Sequence, residues 1–112
     1  MLNQSPDLNL DRLFHALADP ARRAMVERLS RGPAPVSELA RPLPMSLPAV
    51  MQHLDVLEAA NLIATVRRGR EKLHFLNPVP LQEIYDRWIA KFERPRLKAL
   101  GDLKRKLEKA HG

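Results

Sequence analysis

Residues 67–72 read Arg67-Arg68-Gly69-Arg70-Glu71-Lys72, four cations around a single glycine. Charges gathered this closely repel one another, and contact with phosphate oxygens or a narrow minor groove relieves the repulsion. The plainer alternative is a solvated turn whose charges protect a sheet edge from pairing with other chains. A second group is Ser46, Leu47, Pro48, Ala49, Met51, Gln52, His53 and Asp55. The Gln52 amide can pair bidentately with adenine, and Ala49 or Met51 can meet a thymine methyl. Ser46 suits a phosphate, and His53 suits either a phosphate or a neighbouring helix.

Other chemistries find little support. The chain has no cysteine, which excludes disulfides, thiolate metal sites and thiol redox sensing. His15, His53, His74 and His111 fall on four separate segments, none at ligand spacing to another. No nucleophile–base pair, phosphate-cradling glycine loop or carboxylate pair occurs, and Glu83 and Asp86 read as solvated helix residues. An enzyme is therefore not expected, nor a metal or other cofactor.

The elements that must hold these groups follow from period and punctuation. Leu10, Leu13, Phe14 and Leu17 recur at helical spacing, so a first helix is expected over 7–18, with Asp7 at its cap. Asp19-Pro20 is a favoured helix start, and a second helix should run to about Arg31, with Met25, Val26 and Leu29 inward and Arg22, Arg23 and Arg28 mostly outward. A short helix over 36–40 precedes a turn forced by Pro42 and Pro44. Ser46 caps a helix over 47–60, and Asn61 supplies its left-handed stop. On that helix Val50, Leu54 and Leu57 must face inward. A rotation of roughly 100° per residue then turns Pro48, Gln52 and Asp55 outward, with Ala49 and Met51 on the flanks. Residues 62–68 and 72–76 alternate about Gly69-Arg70, which predicts a β-hairpin. From Pro80 a long amphipathic helix is expected, kinked or broken near residues 91–94 by Pro95.

This order is a helix-turn-helix followed by a wing, a mainly α fold of about five to six helices plus a two-stranded hairpin. At 112 residues the chain is one domain long, with a core over 7–78 and a C-terminal dimerisation segment over 80–109. A core this small commonly buries its spare apolar faces against a second copy. Leu10, Leu13, Phe14, Leu81, Ile84, Tyr85, Trp88 and Phe92 are the expected dimer interface. The aromatic cluster Tyr85, Trp88 and Phe92 could instead line a small-molecule pocket, which leaves room for an effector. Nineteen Lys and Arg against thirteen Asp and Glu give a formal net charge of +6, which favours nucleic acid as a partner. The basic residues of the C-terminal stretch are either a solvated helix face or contacts to flanking DNA. No apolar run approaches the ~20 residues of a membrane span. The opening residues lack the features of a signal peptide, so no membrane and a cytoplasmic location are expected.

Two runs resemble a known family. Leu13-Phe14-His15-Ala16-Leu17-Ala18-Asp19-Pro20-Ala21-Arg22-Arg23 is similar to the opening signature of the ArsR/SmtB repressors. The run from Met45 through Glu58 resembles the recognition helix of their metal-independent branch, and Ala60-Asn61-Leu62-Ile63 and the Arg-Gly-Arg hairpin follow in the same order. The resemblance covers roughly Leu10 to Pro80. It implies a homodimer built from the first and last helices, bound to an inverted-repeat operator in double-stranded DNA. It also implies repression of a short operon that contains the regulator's own gene. The sequence departs from the family where relatives carry Ser at position 51 and Lys or Arg at position 55. Asp55 must either read a cytosine amino group or turn toward a basic neighbour. The metal-sensing pattern is also broken, because Trp88 stands where a histidine would be expected after Asp86. The alternative function is a winged-helix protein-interaction module without DNA binding.

Overall fold

The computed structural model describes residues 6–92 and 94–111. It divides into two compact units, one ending at Leu81 and one beginning at Gln82.

The first unit opens with α1 (Pro6–Leu17) and α2 (Pro20–Leu29). The side chain of Asp7, expected as the cap of α1, lies outside the described part. Asp19 caps α2: its carboxylate accepts from the backbone N–H of Ala21 at 2.8 Å and of Arg22 at 3.2 Å. Pro20 takes the first helical position, where a missing N–H is harmless. Helix α3 (Val36–Ala40) is followed by the proline turn and α4 (Leu47–Ala59), the two helices of a helix-turn-helix. Ser46 caps α4, accepting from Ala49 N–H at 3.3 Å. Asn61 ends it with a φ of 62°, and Leu62 N–H returns to the Leu57 carbonyl at 2.9 Å, satisfying a carbonyl that the helix end would orphan. Leu10, Leu13, Ala16, Met25, Val26, Leu29, Leu39, Val50, Leu54, Leu57, Leu62 and Ile63 form the core.

Strands β1 (Ile63–Arg68) and β2 (Glu71–Leu76) pair antiparallel from Ile63↔Leu76 to Arg68↔Glu71. Gly69 has a φ of 63° while Arg70 keeps the usual sign. Glycine first in a two-residue loop is the arrangement of a type II′ turn. The hairpin root is held at two points. Ala34 and His74 exchange backbone hydrogen bonds of 3.1 and 2.8 Å, and Asn77 N–H reaches Leu62 O at 2.8 Å. The fold is a winged helix-turn-helix.

Helix α5 (Val79–Ile84) crosses into the second unit and does not continue as one long helix. A π-helical turn, Tyr85–Ile89, and a 3₁₀ turn, Ala90–Phe92, intervene before α6 (Arg94–His111). Pro95 has no N–H to give the Lys91 carbonyl, which bears on the end of the 3₁₀ turn but not on the change of winding that begins at Tyr85. The Arg96 guanidinium supplies the missing donor, reaching Lys91 O at 2.6 Å. Ile84 is buried, whereas Tyr85, Trp88, Ile89, Phe92, Leu97, Leu100, Leu103 and Leu107 are exposed. No helix among the described residues is long and apolar enough to cross a membrane.

Leu57 is fully buried beneath α4. Leu57→Ala should lower the unfolding free energy by about 2–5 kcal/mol, measured by denaturant titration.

Candidate nucleic-acid interface

Helix α4 divides as its period dictates. Val50, Leu54 and Leu57 are buried, while Leu47, Pro48, Met51, Gln52 and Asp55 are exposed and Ala49 and His53 are half-buried. Ser46 is exposed, although its hydroxyl oxygen already accepts the capping bond. The Asp55 carboxylate has no basic partner among the described residues. Of the two roles open to it in the sequence, the turn toward a basic neighbour is thus not seen.

The four cations of the hairpin are not equivalent. Arg68 faces Glu71 across the ladder and lies over the Phe75 ring at 5.8 Å, so it is partly neutralised and held. Arg67 faces Lys72 directly. Like charges directly opposite each other destabilise a strand pair, and here an external anion would remove the cost. Arg70 stands exposed at the turn.

A hydrogen-bonded chain joins this hairpin to α4. The Thr65 hydroxyl donates to Glu58 Oε2 at 2.6 Å, and its oxygen lies 3.0 Å from His74 Nδ1. Thr65 has one proton, so the second bond requires Nδ1–H of His74 as donor. His74 is buried, and burial pushes its pKa below the ordinary value of 6.5; Glu58 opposes that shift and Lys72 adds to it. No spacing rule could find this contact, because its members come from α4, β1 and β2.

The α2 arginines differ from expectation. Arg22 and Arg28 are half-buried, not outward. For Arg22 the cause is the end of α1, whose carbonyls need donors. Arg22 donates to Ala16 O at 2.7 Å and to His15 O at 3.1 Å, and Arg23 donates to Leu17 O at 2.8 Å. Arg28 pairs with Glu38 at 2.7 Å and reaches Gly32 O at 3.0 Å. Arg22 also reaches α4, with Nη1 3.2 Å from His53 Nδ1. Asp19 nearby is held below the usual carboxylate range, chiefly by the backbone N–H of Arg22.

Of the expected interface residues, Leu10, Leu13 and Ile84 are buried within the protomer, and Leu81 is half-buried. Phe14, Tyr85, Trp88 and Phe92 keep between 37% and 52% of their surface exposed. Trp88 and Phe92 meet edge to face at 5.3 Å, and Lys91 lies over both rings. A recess of about 400 Å³ opens beside α1 and the end of α4, lined by Asp11, Arg12, His15, Val56, Ala59 and Ala60. His15, His53 and His74 remain on separate elements, and the His111 side chain lies outside the described part. No three His, Asp or Glu side chains among the described residues gather as a metal site.

Residues 17–66 match a family described as a helix-turn-helix domain. A transcriptional regulator of Mycobacterium tuberculosis, Rv2034, is 52% identical over 71 residues, spanning 63% of this chain and 66% of that protein. The crystal structure of an ArsR family transcriptional regulator aligns with a TM-score of 0.69 and 44% identity, covering 74% of this chain and 90% of that one. The chain belongs to the ArsR family of helix-turn-helix transcriptional regulators. The transcriptional repressor SdpR of Bacillus subtilis is a more distant relative, 29% identical over 74% of this chain and 91% of its own. An ArsR-family regulator is a DNA-binding protein, not an enzyme, and the exposed face of α4 and the basic hairpin are its surfaces with the matching chemistry.

Because the buried His74 imidazole favours its neutral form, the unfolded chain takes up a proton first as pH falls through 6.5. The stability contributed by neutral His74 is full above that value and is lost below it. Thermal unfolding between about pH 7 and about pH 5 should show a falling midpoint, with a shallower fall in His74→Gln.

Proposed function

We propose that this ArsR-family protein is a repressor of the metal-independent branch that binds an inverted-repeat operator as a homodimer and represses a short operon including its own gene. The observation that carries the reading is the division of α4. Its inner side is fully committed to the core, so Gln52 and its flanking residues Ala49, Met51 and Asp55 form a face available to base edges. In a dimer, two such helices enter successive major grooves ~34 Å apart. Arg67, Arg70 and Lys72 take phosphates or the minor groove beside them, and Arg68 contributes less because Phe75 and Glu71 already engage it.

Support for a second copy comes from apolar surface left open. Phe14 on the first unit and Tyr85, Trp88, Ile89 and Phe92 on the second are exposed aromatic and aliphatic groups, the composition that interface centres favour. Leu10, Leu13 and Ile84 act in this arrangement from behind, by holding the exposed residues in place. The lack of cysteine supports release by something other than a thiolate-bound metal. A small-molecule effector that binds the DNA-competent state less well would serve. Such a regulator works in the cytoplasm, where its operator is.

The testing experiment is an anisotropy titration against the promoter upstream of its own gene, with scrambled competitor. Competitor-resistant binding of two chains per site is expected; no preference over scrambled duplex, or one chain per site, would refute the reading. Arg70→Ala should weaken binding to all sequences and reduce the salt slope by about one unit. Gln52→Ala should instead relax preference at one base pair by ~1–3 kcal/mol, read by selection from a randomised site.

A further inference from the structure

Arg22 was expected to point mostly into solvent, yet it makes the one side-chain hydrogen bond from α2 to α4 among the described residues. A guanidinium carries only donors and stays charged. The 3.2 Å approach of its Nη1 to His53 Nδ1 therefore requires a bare lone pair on Nδ1. The imidazole is then neutral with its proton on Nε2. The Arg22 head is itself fixed, since Nε and Nη2 are bound to the carbonyls of Ala16 and His15. It cannot turn away without giving up the Ala16 carbonyl, although His15 O would keep the Ala18 N–H at 3.2 Å.

The other edge of the ring is open. His53 is half-buried, Nε2 has no protein partner, and no buried side-chain nitrogen or oxygen among the described residues lacks one, so Nε2 reaches solvent. Helical spacing places His53 beside Ala49 and Val56, on the flank between the buried stripe and the outward face of α4. A donor on the flank of a helix lying in the major groove meets the sugar-phosphate backbone, not the bases.

We propose that Arg22 is a positioning residue for DNA binding: it fixes His53 as a neutral imidazole whose Nε2–H donates to a backbone phosphate beside the groove. The inference rests on the DNA-binding role of α4 and adds a donor that acts on every sequence alike. Arg22 makes no contact with DNA in this scheme. It selects which ring nitrogen carries the proton and holds the ring edge outward.

The test uses the full chain with ¹⁵N-labelled histidine, together with His53→Gln and His53→Leu. Gln keeps an acceptor for Arg22 and a donor for phosphate, whereas Leu keeps neither. Nitrogen-edited NMR of the parent protein near neutral pH should show His53 protonated at Nε2. In anisotropy titrations with a mixed-sequence duplex at low salt, His53→Leu should bind about tenfold more weakly, as expected for loss of one hydrogen bond to a charged group. His53→Gln should bind within about threefold of the parent on the same scale. A parent imidazole protonated at Nδ1 overturns the proposal whatever the variants do. So does a Leu variant that binds like the parent, or a Gln variant that binds no better than Leu. A parent that binds no duplex overturns the DNA-binding role itself, and this inference with it.

Discussion

Val50, Leu54 and Leu57 face inward on α4 and are almost completely removed from water. A helix has one period, so committing that stripe to the core decides where every other residue on α4 points. Rotating α4 to offer a different set of side chains would expose Leu57 and bury Gln52 or Asp55 without partners, at a cost the small core could not offset. The outward surface is therefore rigid because the inward one is. The caps at Ser46 and Asn61 fix the two ends of the same rod, and the Glu58–Thr65–His74 chain fastens the hairpin to its far end.

Net charge gives an incomplete picture of which cations are available to a partner. The arginines of α2 close the end of α1 and brace α3, and Arg96 takes up a carbonyl orphaned by Pro95. These residues serve as donors to backbone groups, a task for which the five N–H groups of a guanidinium suit them better than a lysine would. Among the exposed cations left outside such bonds are Arg67 and Lys72, which face one another across the hairpin. Positive charge has thus been sorted by the fold into a structural share and a free one.

Much of this was legible in the sequence. The helix pair, the proline turn, the cap at Ser46, the left-handed stop at Asn61 and the hairpin all follow from short-range rules, and each of these elements begins and ends within two residues of its expected bounds. A disturbance near Pro95 was legible too, but not whether it would kink or break the helix, nor the π-helical turn at Tyr85–Ile89, because no local composition rule specifies that winding. The division of α4 into buried and exposed residues followed from period alone. Hidden from the sequence were contacts between residues distant along the chain, such as Arg22 with His53 and Thr65 with His74. Composition shows that an arginine is present; only the positions of α1 carbonyls show what it is for.

The anchoring of the hairpin has a consequence for how such a protein can change over time. Its two strands are secured at one end, by the Ala34–His74 bridge and the Asn77–Leu62 bond, and from Ala64 to Lys72 every residue is exposed. The outer rungs consequently carry no obligation to the interior. Residue pairs added or removed beyond Thr65 and His74 would lengthen or shorten the arm while leaving the seating of α4 untouched. The length of the arm and the outward residues of α4 can then drift independently, so a duplicated gene could change one without first losing its fold.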